Sequence, residues 1–79
     1  MLYKCIMGGR KAGVYLWNED LTRMLAFVKY GDSVLVPQPN NTLTIPPGRI
    51  YLEALYNGTV GRIYEAALQP LDDPNPNNY

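Results

Sequence analysis

The dipeptide Asn57-Gly58 constrains this chain more than any other feature. It sits between two runs of β-forming residues, Ile50–Tyr56 and Thr59–Tyr64. Both central positions of a two-residue type I′ turn need positive φ, which asparagine and glycine tolerate best. Such a turn leaves no freedom of register. Tyr56 faces Thr59, Leu55 faces Val60, Ala54 faces Gly61, Glu53 faces Arg62, Leu52 faces Ile63 and Tyr51 faces Tyr64. Opposite charges meet, as do two aliphatics and two aromatics, which is what cross-strand pairs favour. Because side chains alternate along a strand, Leu52, Ala54, Gly61 and Ile63 share one face. That face is small, apolar and suited to a core. Tyr51, Glu53, Leu55, Val60, Arg62 and Tyr64 share the other, which is more apolar than a plain solvent face requires.

The rest of the pattern is also β. Short apolar runs at Leu2–Met7, Gly13–Trp17, Met24–Tyr30 and Ser33–Val36 are separated by turn residues. Together with the hairpin they predict an all-β protein, a small barrel of about five to six short antiparallel strands. Residues 20–30 also admit a helix, since Leu21, Met24, Leu25 and Val28 have helical spacing behind a possible N-cap at Asp20. The strand formers Ala26-Phe27-Val28-Lys29-Tyr30 and the turn at Gly31-Asp32 favour a strand. Prolines cluster at Pro37–Pro47 and Pro70–Pro76. Proline donates no ladder hydrogen bond, so the first cluster reads as a long loop with a short extended piece at Thr42–Ile45. The end of the chain, from Asp72 to Tyr79, has no apolar periodicity and reads as a disordered tail. One domain is expected, a barrel over residues 1–71 followed by the tail 72–79.

Composition excludes much of chemistry. A chain of 79 residues hides only ~60% of its unfolded surface on folding, which leaves little structure for a complex active site. It has no histidine, and so no Ser-His or Cys-His pair and none of the commonest metal ligand. The single cysteine, Cys5, builds neither a disulfide framework nor a zinc site, and within Lys4-Cys-Ile-Met it reads as a buried apolar position. The carboxylate pairs Glu19-Asp20 and Asp72-Asp73 are adjacent residues that point apart when extended, so neither is an acid/base dyad. Net charge is zero, which argues against nucleic acid as a partner. No apolar run approaches the ~18 residues of a membrane span, and the start lacks the charged head and apolar stretch of an export signal. A cytoplasmic protein that is not an enzyme and needs no cofactor is expected.

The run Tyr51-Leu-Glu-Ala-Leu-Tyr56-Asn57-Gly58-Thr-Val-Gly61-Arg-Ile-Tyr-Glu-Ala-Ala-Leu68 resembles the end of a bacterial SH3 domain. There an aromatic-led strand, a Tyr-Asn-Gly turn and a Thr-Gly-Trp-Val strand lead into a short helical turn that closes on leucine. Leu25–Val36 is similar to the family's strand, Lys-Gly turn and Val-x-Val strand, and Gly13–Trp17 stands where its early Asn-Val-Arg strand lies. The resemblance covers residues 12 to 71. Two tryptophan positions of the family carry Tyr51 and Arg62, and Trp17-Asn-Glu-Asp20 replaces its Arg-Ser-Gly-Pro turn. What the resemblance implies is an SH3-like barrel that binds a protein or peptide without chemistry. It also implies that Trp17, Asn18, Glu19, Asp20, Tyr51, Arg62 and Tyr64, together with the proline-rich loop, contribute to the ligand surface.

Each candidate has a plainer reading beside it. Trp17 serves as a groove anchor or as ordinary core. Gly8, Gly9, Arg10 and Lys11 offer flexible backbone N–H groups and two cations to an anion, but without P-loop spacing they also read as a loop tip. Those four residues and the seven tyrosines motivate the alternative function. That alternative is a small phage or mobile-element inhibitor that sequesters a nucleotide-type ligand or blocks a host enzyme. The apolar outer face of the hairpin also suits a homo-oligomer, built through Tyr51, Leu55, Val60 and Tyr64.

Overall fold

The computed structural model describes residues 1–6 and 12–71. The chain is antiparallel β throughout, as the sequence predicts. In order the strands are β1 (Leu2–Cys5), β2 (Gly13–Trp17), β3 (Met24–Lys29), β4 (Ser33–Leu35), β5 (Thr42–Ile45), β6 (Arg49–Tyr56), β7 (Thr59–Tyr64) and β8 (Leu68–Pro70). A 3-10 turn, Glu65–Ala67, joins the last two. Neighbours across the sheet run β3-β2-β7-β6-β4-β1-β8, with β5 also on β6.

The β6–β7 hairpin has all six cross-strand pairs that the Asn57-Gly58 turn dictates. Asn57 at φ 50 and Gly58 at φ 80 are both left-handed, as a type I′ turn requires. β6 is the long strand, and one of its edges is shared. Thr42–Ile45 pairs with its first half at Arg49–Leu52, and Leu35 of β4 pairs with Leu55 near its end. Residues 24–29 form a strand on β2, not a helix. Of the helix-spaced set, only Val28 is buried. A helix would have turned all four toward one interior.

Two strands exceed the expected count. Thr42–Ile45 is a full partner of β6, and Leu68–Pro70 returns to pair with β1. Pro70 lies in a strand at the end of the sheet, where a missing N–H costs nothing. The boundaries are also tighter than the apolar runs: β1 stops at Cys5, β3 at Lys29 and β4 at Leu35. The tail 72–79 lies outside the described residues.

The core draws on every strand but β5, with Val36 just after β4: Cys5, Leu16, Val28, Val34, Val36, Leu52, Ala54, Ile63 and Leu68. Both hairpin residues expected inside on β6, Leu52 and Ala54, are there, as is Ile63 across from them on β7. Cys5 is fully buried, with its Sγ 3.8 Å from the carbonyl oxygen of Val28. That contact draws β3, at one end of the sheet, toward β1 near the other. Every strand except β5 therefore contributes to one interior, or flanks the residue that does.

A tyrosine fastens the hairpin to the β3–β4 turn. The Tyr56 hydroxyl donates to Asp32 Oδ2 at 2.6 Å. The bond to this carboxylate, then partial burial and the nearby negative charge, pushes the phenol above its ordinary value of 10.0. A pKa raised on folding means the neutral phenol is favoured in the native state. Its contribution is fully present below pH 10.0 and is lost as pH rises through the higher native value. Tyr56→Phe should cost about 1 kcal/mol at neutral pH. It should also remove part of the alkaline loss of stability, so the stabilities of the two proteins converge as pH rises through the native value. Parallel pH profiles for the two proteins would disprove the bond.

Candidate functional site

The side of the sheet opposite the core is aromatic. On β2, Tyr15 and Trp17 are two residues apart and so project alike. Tyr15 stands opposite Phe27 of β3, with ring centroids 5.1 Å apart and near edge-on at 67°. Its ring lies 6.1 Å from that of Trp17. Trp17 stands opposite Arg62 of β7, and Arg62 opposite Glu53 of β6. Two residues along, Tyr64 faces Tyr51 with centroids 5.6 Å apart. Leu43 of β5 stands opposite Tyr51 and completes the row. Five strands thus carry one outer surface. Tyr15 is 45% exposed and Phe27 39%, while Trp17, Tyr51 and Tyr64 are half-buried.

Arg62 is the exception on this surface, because its side chain is 6% exposed. Burying a guanidinium is costly unless charge and hydrogen bonds compensate. Nη2 donates to Glu19 Oε2 at 2.8 Å, and Nη1 to the carbonyl oxygen of Asn41 at 3.0 Å. Among the described residues, buried Nε has no partner. The register places Glu53 across from Arg62, but the ion pair runs to Glu19 instead. The opposite charges that face each other across the hairpin are thus not the ion pair. Glu53 instead accepts from Asn41 Nδ2 at 3.2 Å, so Asn41 bridges the two by its side chain and its carbonyl. Arg62 therefore ties the β2–β3 turn and the proline-rich loop to β7.

The β2–β3 turn is built to present Glu19. Asn18 Oδ1 accepts from the backbone N–H groups of Thr22 at 2.8 Å and Arg23 at 3.0 Å. Asp20 Oδ1 accepts from the Thr22 hydroxyl at 2.6 Å, and this bond holds the Asp20 carboxyl below its ordinary value. The polar atoms of Asn18 and Asp20 are thus spent on the turn itself, as short polar side chains commonly are. Leu21 takes φ 62, which is strained for a bulky residue. Between these anchors the side chain of Glu19 is 73% exposed and reaches back to Arg62.

The structure thus brings Trp17, Glu19, Arg62, Tyr51 and Tyr64 to one surface, with Asn18 and Asp20 as the frame of its neighbouring turn. Gly8, Gly9, Arg10 and Lys11 lie outside the described residues. Sequence reasoning missed Tyr15 and Phe27, although the Tyr15-x-Trp17 alternation signalled the first; it named the proline-rich loop but did not single out Asn41 within it. Beside it, Gln38, Pro39, Asn40 and Asn41 line a depression of ≈ 510 Å³. Among the described residues no group of three or more metal-binding side chains occurs, and no helix is long and apolar enough to cross a membrane.

No family model, curated protein or solved structure matches this chain.

Proposed function

We propose that this chain is an SH3-like binding module, working in the cytoplasm, that takes a protein or peptide partner on its aromatic outer face and performs no chemistry of its own. The observation that carries the reading is the aromatic row across β3, β2, β7 and β6, centred on buried Arg62. Tyrosine, tryptophan, phenylalanine and arginine are the residues enriched at the cores of protein interfaces. Large rings left open to water beside one another mark a contact surface more often than chance exposure does. Two features support the SH3-like part. The 3-10 turn after β7 closes on Leu68, and the strand it begins returns to β1. The long strand β6 also serves both β4 and β5 along one edge. The turn that closes on leucine belongs to what the resemblance implies.

The test is selection of peptides from a random display library on the immobilised chain, followed by titration of synthetic peptides against Trp17 fluorescence. Phe27→Ala and Tyr15→Ala should each weaken binding about tenfold, or ~1.4 kcal/mol, while the chain stays folded because both rings are exposed. Val60→Thr, near the hairpin turn, should leave affinity unchanged. Equal binding by all three variants, or no saturable peptide, would refute the reading.

A further inference from the structure

The guanidinium of Arg62 has two edges that accept a carboxylate, and they are used differently. Nη1 is committed to the backbone, at the carbonyl oxygen of Asn41. The other edge, formed by Nε and Nη2, is a two-donor fork matched to the two oxygens of one carboxylate. Glu19 fills only half of it. Its Oε2 takes Nη2 at 2.8 Å, and Nε, fully buried, has no acceptor among the described residues. Buried donors of charged groups are nearly always satisfied, so a buried, unpartnered Nε within the aromatic row points to a ligand of defined chemistry.

We propose that the Nε/Nη2 edge of Arg62 is a carboxylate-binding site for the partner, held shut in the free protein by Glu19. This rests on the reading of the aromatic face as the binding surface. The cation cannot be left bare, so the site must always hold an anion, and Glu19 supplies one until a better one arrives. Its side chain is 73% exposed, and in the unbound protein water is its ready alternative. An incoming carboxylate that makes both hydrogen bonds replaces one bond with two and keeps the charge of Arg62 neutralised. Trp17, directly across from Arg62, would lie against the residue that carries it. The partner's recognised group is then an acidic side chain or a free C-terminus, flanked by apolar or aromatic residues.

The Arg62 Nε–H resonance in a nitrogen-correlated NMR spectrum reports on this edge directly. Three probes separate the chemistry: acetylglycine, with a terminal carboxylate; acetyl-aspartyl amide, with a side-chain carboxylate; and acetyl-asparaginyl amide, which is neutral. At least one carboxylate probe should move the Nε–H signal of the wild type, and whichever does so identifies the source. The neutral probe should not. Glu19→Gln leaves a neutral, weaker acceptor in the competitor's place, so it should tighten the effective probe about tenfold. An Nε–H signal unmoved by either carboxylate at the probes' solubility limit, in both proteins, would overturn the proposal. Equal affinity in both proteins would overturn the role given to Glu19. Display-selected peptides that shift the Tyr15 and Trp17 signals but not Arg62 Nε–H would remove the carboxylate site and leave the module reading standing. Failure of those peptides as well would remove both.

Discussion

Gly61→Ala is expected to remove a large share of the chain's stability at 25 °C. Gly61 is buried on β7, against its sheet neighbour β2. A Cβ there would meet the carbonyl oxygen of Trp17 closer than real Cβ atoms ever lie, and the Leu16 Cγ at 2.8 Å. Neither neighbour can yield cheaply. The first is backbone, and Leu16 is fully buried in the core. Overpacking a rigid core costs about 1–3 kcal/mol, and more where backbone must move, so ~4 kcal/mol is expected here. A chain of 79 residues has ~4–12 kcal/mol of stability in all. The loss would also part Trp17 from Arg62, so any surviving folded fraction should bind the selected peptides poorly. Urea denaturation gives the number. A loss below about 1 kcal/mol would mean that β2 and β7 do not approach as described.

Gly13→Ala should cost a similar amount for a double reason. Gly13 has φ 137, which L residues with a side chain rarely adopt. Its Cβ would also run into the carbonyl oxygen of Val28 and lie 2.9 Å from Lys29 Cα, both on the paired strand β3. Strain of this kind costs ~1–3 kcal/mol alone, and the clash with backbone adds to it. Gly31→Ala separates the two effects. Gly31 has φ 93, yet nothing lies within 4 Å of the Cβ it would gain. It should therefore lose only the strain, ~1–2 kcal/mol, and Gly13→Ala at least about 2 kcal/mol more. Equal losses by thermal or urea unfolding would place the whole cost of Gly13→Ala in its dihedral angle.

Legibility followed distance along the chain. The hairpin of Asn57-Gly58 was readable to the residue, because turn dihedrals and side-chain alternation are properties of neighbours. Strand β2 was readable to its ends, and β3, β4 and β6 to within one residue, for the same reason. The choice of strand over helix at Met24–Lys29 was readable from β-branched and aromatic content. Leu68–Pro70 was not. A proline-ended strand of three residues has no periodicity, and only β1 across from it makes it a strand.

The candidate surface divides the same way. The sequence by itself determined which residues share a face of the β6–β7 hairpin: Tyr51 beside Tyr64, Glu53 beside Arg62, and Leu52, Ala54, Gly61 and Ile63 inward. It also marked Trp17 and Glu19 as belonging to an early turn near that face. Only the tertiary structure decided that Arg62 is buried, that its anion is Glu19 and not Glu53, and that Asn41 bridges them. The reason is electrostatic and geometric together. Glu53 lies within reach of Arg62 by register, but the turn at Asn18–Arg23 closes over the guanidinium and delivers a carboxylate from 43 residues away. Asn41 then takes Glu53's attention and gives its own carbonyl to Arg62. A strand pattern specifies which side a side chain leaves from; what it meets there depends on which distant loops the finished sheet brings above it.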